Sequence, residues 1–154
     1  EFRGLNDGDM AMAQGMTSLA ELTLGSSPLV TDAGLAQWRH ATGLRTLWLK
    51  KMNVCGTGFH EWPEDHPLEA LSASGTAITA AGLKALGRLR NLSQLHVRTI
   101  QLFGGPIEVD LACFLDTPSL EAIALQGSYV TTQASLDRLI TARPELAVAC
   151  RVEP

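Results

Sequence analysis

The sequence predicts an α/β protein, a solenoid of stacked strand–turn–helix units. Three observations lead there. An apolar triplet recurs five times: Leu19, Leu22 and Leu24 return as Leu44, Leu47 and Leu49, as Leu68, Leu71 and Ala73, as Leu92, Leu95 and Val97, and as Leu120, Ile123 and Leu125. The first residues of these triplets lie 25, 24, 24 and 28 positions apart, a period over which one unit cannot bury its own apolar face and must stack on its neighbours. Within each triplet the last two apolar residues are two positions apart, as in a half-buried strand, and threonines then precede stretches with helical spacing.

Residues 68–92 show the whole unit. Leu71 and Ala73 give the strand, Ser74-Gly75 the turn, and Ile78 precedes Thr79, after which Leu83, Leu86 and Leu89 recur every three residues as one side of a short helix. The triplet pattern and the run Thr76-x-Ile78-Thr79-x-Ala81-Gly82-Leu83 resemble the leucine-rich repeat superfamily, in the bacterial and ribonuclease-inhibitor-like form that places helices on the outer side. The resemblance covers residues 5 to about 150 and implies a curved solenoid with its parallel sheet inside the bend. Residues 1–18 align with the back half of such a unit whose strand is missing. Residues 19–145 hold the five repeats, and residues 146–154 a terminal strand and cap.

Taken in order, Asn6 and Asp7 occupy the phase of Thr31 and Asp32, a helix start with a side-chain acceptor and an acidic first turn. The same start recurs at Thr79 and Thr131, which predicts helices over 31–41, 79–90 and 132–142. The second repeat departs from this: residues 55–67 carry two glycines, two prolines and no helical period, so an irregular loop replaces the helix. The fourth inserts Phe103-Gly104-Gly105-Pro106, bulging at 101–107, after which Ile107, Leu111 and Leu115 at fourfold spacing predict a helix over 107–115. Leu146 to Val152 supplies a last strand, its edge blunted by Arg151 and Glu153. The buried turn position that the resemblance implies falls on Ser27, Met52, Thr76, Ile100 and Ser128, so its polar ladder is interrupted at Met52 and Ile100. An N-terminal layer without its strand exposes an apolar flank, to be covered by preceding repeats or by another subunit.

Composition narrows function. The 154 residues and net charge of −4 lack the basic field of a nucleic-acid binder. No stretch approaches the roughly 20 apolar residues of a membrane helix. Cys55, Cys113 and Cys150 are odd in number and unpaired in spacing, which predicts reduced thiols and an intracellular, cytoplasmic protein.

Residues between the inward leucines face the open side of the sheet. One column reads Thr23, Trp48, Ser72, His96 and Ala124; the next reads Gly25, Lys50, Ser74, Arg98 and Gln126. Trp48 and His96 thus stand two strands, or about 10 Å, apart with Ser72 between them. Lys50 and Arg98 lie beside this notch, and Arg45 is close in sequence. A Trp flanked by cations is the composition of a binding hot spot and suits an acidic peptide or protein surface. The alternative is a ring lying flat on the sheet beside merely solvated cations.

Cys55, His60, Glu61, Asp65 and His66 are metal-capable types, but their spacing lacks a zinc knuckle. Phe59 and Trp62 either tack that loop onto the outer side or offer a second partner surface. Neither Gly56-x-Gly58 nor Gly104-Gly105 has the Lys and helix start of a phosphate loop. No nucleophile elbow is present, and no carboxylate is placed to orient His96. The sequence therefore predicts a non-catalytic protein–protein recognition module, without cofactor or metal, binding through Trp48, His96, Lys50, Arg98, Ser72 and Arg45. The alternatives are a structural accessory subunit of a large assembly, or the recognition or regulatory part of a larger protein. The resemblance implies roles such as those in ubiquitin ligases and bacterial effectors.

Overall fold

Parallel pairing dominates the molecule. The computed structural model describes residues 2–99 and 105–153, as a mixed α/β fold. Seven strands form one parallel sheet: β1 (Phe2–Arg3), β2 (Glu21–Gly25), β3 (Thr46–Lys50), β4 (Ala70–Ser74), β5 (Gln94–Arg98), β7 (Ala122–Gln126) and β9 (Ala147–Ala149), in that order. The helices are α1 (Asp32–Gln37), α2 (Ala80–Leu86) and α3 (Gln133–Ala142). Short 3-10 turns span Asp9–Gly15, Trp38–His40, Thr57–Glu61 and Leu111–Phe114.

The apolar triplets determine the register. Leu22, Leu47, Leu71, Leu95 and Ile123 pair in one row, and Leu24, Leu49, Ala73, Val97 and Leu125 in another. None of these ten is more than 2 % exposed. A one-residue slip in any strand would move its leucines to the open face, so the alternation itself pins the pairing. Truncating one of these leucines to Ala removes about 2–5 kcal/mol of burial and packing.

After five of the strands the chain leaves the sheet through a left-handed residue: Gly4, Ser26, Lys51, Gly75 and Gly127 have φ of 67°, 48°, 51°, 65° and 86°. The helix starts are side-chain capped. Thr31 and Thr79 accept from the amides of Ala33 and Gly82, and Asn6 accepts from Gly8 while its own amide donates to Asp9. Aspartates then tie one outer element to the next. Asp7 accepts from the Thr31 amide and hydroxyl, and Asp32 from the amides of Cys55 and Gly58. At the other end Arg143, its side chain 15 % exposed, donates to the carbonyls of Thr117, Pro118 and Leu120 and pairs with Glu145.

The outer side differs from expectation in several places. The strand absent from residues 1–18 is present as the two-residue β1, and the following segment is 3-10 rather than α-helical. α2 stops at Leu86 instead of running to 90, because the Arg90 amide turns to the Glu64 carbonyl. The cap of α3 is Thr132, which accepts from Ser135; Thr131 is buried and donates to the Val109 carbonyl. Residues 107–115 are not a helix. Ile107–Glu108 form β6, which pairs with β8 (Tyr129–Thr132), and β10 (Arg151–Glu153) joins on the other side of β8 to give a second, three-stranded parallel sheet. The terminal strand thus divides between the two sheets, with Arg151 and Glu153 on the smaller one. Leaving Val109 free to donate to Val130, and Asp110 to cap the next 3-10 turn, accounts for the lost helical period.

The buried turn position is also mixed. Ser27 donates to the Gly25 carbonyl and accepts from Leu5, whereas Thr76 is buried with its hydroxyl unpartnered, Met52 is apolar and buried, and Ser128 is half-buried. Ile100, Phe103 and Gly104 lie outside the described residues.

Gly75 and Gly127 share the left-handed turn but differ in surroundings. A Cβ on Gly75 meets Lys51 atoms at 3.5–3.6 Å, an ordinary contact, whereas one on Gly127 collides with the Thr99 carbonyl. Gly75→Ala should therefore cost about 1 kcal/mol from backbone strain alone. Gly127→Ala should cost about 3 kcal/mol or more, because backbone must also move. Urea titration of the two variants measures the difference.

Candidate functional site

The open face of the seven-stranded sheet carries the residues between the inward ones. Register places Thr23, Trp48, Ser72, His96 and Ala124 in one row, continued by Ala149 of β9. The next row along the strands holds Arg3, Gly25, Lys50, Ser74, Arg98 and Gln126. Ser72 stands between Trp48 and His96 as expected. His96, Lys50 and Arg98 are exposed and Ser72 is half-buried.

Trp48 is half-buried rather than fully presented. Arg45 is not an open cation: it precedes β3 and is ion-paired with Glu69. Arg88 and Arg90 on the outer side both bind Glu64. Lys50 and Arg98 have no ion-pair partner among the described residues.

A depression of about 400 Å³ lies on the far side of His96 from Ser72. Its floor is Ala122, Ala124, Ala147 and Ala149, with Gln94 and His96 at the rim. Residues this small let a ligand approach the strand backbone. The alternating Ala147-Val148-Ala149 was the signal for this extension of the face, since it continues the rows by one more strand. A second cavity, of about 380 Å³, lies between β8, β6 and α3 and is lined by Glu108, Asp110, Ser135, Arg138 and Glu153 among others. It depends on the three-stranded sheet, which has no periodic signature in the sequence.

The loop at 55–67 is a structural plug. Phe59 and Trp62 are 0 % and 1 % exposed, so they form no second partner surface; they fill the space that a helix occupies in neighbouring units. Their rings meet edge-on at 5.0 Å, and Trp62 and His66 stand 4.3 Å apart. Trp62 Nε1 donates to the Leu35 carbonyl, and His66 Nδ1 accepts from the Leu68 amide. Cys55 Sγ contacts the Thr57 hydroxyl, while His60 and Asp65 are exposed. Among the described residues no group of three or more His, Cys, Asp or Glu side chains gathers as metal ligands would.

Titration follows burial. Removal from water holds His66 down to about 4, with the Trp38 carbonyl and Asp65 acting in the opposite sense. Burial raises Cys113 to about 12, with Asp110 adding to it, and also raises Cys150 and Tyr129. Burial pushes Asp32 up, but the Gly58 and Cys55 donors outweigh it and hold the carboxyl below its usual range. Asp110 is lowered by the Ala112 amide and the Ser135 hydroxyl. None of these perturbed groups stands on the open face in a nucleophile–base arrangement.

No protein-family model matches the chain, and no curated protein matches it. No described helix is long and apolar enough to cross a membrane.

His66 makes acid stability testable. Its folded value of about 4 lies below the ordinary 6.5, so the unfolded chain takes up the proton first as pH falls. Its contribution is complete above pH 6.5 and is lost between 6.5 and 4, a change of roughly 3 kcal/mol. Asp32 and Asp110, lowered from 3.8, lose their contribution only at still lower pH. His66→Asn, which keeps an acceptor near the Leu68 amide, should show a flat urea midpoint across that window where the parent protein declines.

Proposed function

We propose that the chain is a non-catalytic recognition module: a leucine-rich repeat solenoid whose concave side, the open sheet face, binds an acidic protein surface or peptide. The observation that carries this reading is one of placement. Lys50 and Arg98 are exposed in one row of the sheet, without an ion-pair partner among the described residues, in the row next to Trp48 and His96. Cations left unpaired next to an aromatic side chain attract and orient an anionic partner. The alanine-floored depression beyond His96 accepts an apolar side chain from the same partner. A preformed sheet face loses little conformational freedom on binding, so a few anchors suffice. Such a module works in an intracellular setting where its free thiols stay reduced.

A second reading, that of a structural subunit, is favoured by exposed apolar residues away from this face. Leu29 is 69 % exposed, Ile140 43 % and Phe2 37 %, positions that further repeats or another subunit would cover. On that reading the chain serves as an accessory or regulatory part of a larger assembly.

The Trp48→Ala, Arg98→Ala double variant separates the two. Used as bait beside the parent protein, after circular dichroism confirms that both fold, it should lose the captured partner. Retention of that partner by both baits would move the function to the ends and outer loops.

A further inference from the structure

The row of cations has a pitch, and the pitch specifies a ligand. Lys50 pairs across Ser74 with Arg98, so the two cations are separated by two strand spacings, about 9.6 Å. The intervening residue is small. The same row continues to Arg3 through Gly25 on one side and to Gln126 on the other, and it contains no carboxylate.

Residues facing the same side of a strand are about 6.6 Å apart, so the cation row runs about that far from the row of Trp48 and His96. An α-helix returns to the same side after seven residues, about 10.5 Å on, a longer interval than the cation spacing. An extended chain in the polyproline II form rises about 3.1 Å per residue and returns every third residue to the same side, about 9.3 Å on. That repeat matches the cation spacing to within the reach of the side chains.

We propose that the open face binds an acidic peptide segment that crosses the strands in polyproline II form, with carboxylates three residues apart on Lys50 and Arg98 and its backbone against Trp48. This inference rests on the recognition reading above and specifies its ligand. A peptide with two carboxylates is favoured over a nucleic-acid strand because the chain as a whole carries a net charge of −4, which opposes a ligand charged at every residue more than one charged at two.

The test uses the whole chain and synthetic proline–alanine peptides that carry two glutamates two, three or four residues apart, with a glutamine version as control. Trp48 fluorescence supplies the readout, since Trp38 and Trp62 are fully buried. Spacing three should bind about five-fold more tightly than the other two spacings, the scale of one well-placed exposed charge pair. Lys50→Ala or Arg98→Ala should abolish the preference, and the preference should weaken as salt rises. Equal affinity at all spacings would overturn the pitch while leaving the recognition reading intact. Tighter binding of a helical peptide with glutamates seven apart, or of oligouridine, would overturn the peptide form or the peptide class. If no peptide binds but the bait still loses its captured partner on Trp48 and Arg98 replacement, the extended-segment proposal fails alone; if that loss is also absent, both readings fail.

Discussion

Every strand of the larger sheet runs the same way as its neighbours, and this single constraint shapes the rest of the chain. Parallel neighbours cannot be joined by a tight hairpin; the chain must return to the starting edge each time through a crossover of a dozen or more residues. Among the described residues the inward rows of the sheet are buried and the rows between them are half-buried or exposed, so one face is left open. The inward rows, the left-handed residues that turn the chain out of the sheet, and the capped outer elements that bring it back are successive consequences of that geometry. The open face is therefore a product of connectivity.

Because the strands alone establish register, the returning segments are free to vary. One return is an α-helix capped by Thr79, another an aromatic plug of Phe59, Trp62 and His66, and another a short strand of the second sheet. What they share is contact with the preceding return: Asp7 with Thr31, Asp32 with Cys55 and Gly58, Ser135 with Asp110. These charge-assisted bonds hold together elements of unlike shape, and they are stronger than neutral ones. The plug also buries an imidazole with one nitrogen unpartnered, so packing there is favoured at the expense of polar satisfaction.

The strands were legible in the sequence because period two and an interval of about 24 residues reinforce each other; the positions of Leu22 through Leu125 and the rows facing outward follow from counting. The returns were less so. Ile107, Leu111 and Leu115 have helical spacing, yet backbone pairing with Tyr129 and Val130 overrides it, and strands of two to four residues are too short to leave a pattern. Thr131 and Thr132 are equivalent as letters, and only the tertiary bond from Thr131 to the Val109 carbonyl decides which one caps. On the candidate site, position was readable but exposure was not: Trp48 is half-buried, Arg45 is ion-paired with Glu69, and the aromatics of the plug turn inward, outcomes that depend on neighbours far apart in the chain.

Arg143 gives the two ends of the sheet different characters. At one margin β1 contributes two residues, while at the other the guanidinium grips three carbonyls of the previous return. In a sheet where each strand touches only its immediate neighbours, opening proceeds inward from whichever margin is looser. Amide protons of β2 should thus be exposed to solvent exchange by shallow fluctuations, and those of β7 only by deeper ones, so the molecule frays with a direction, like a zipper whose slider is fixed at one end.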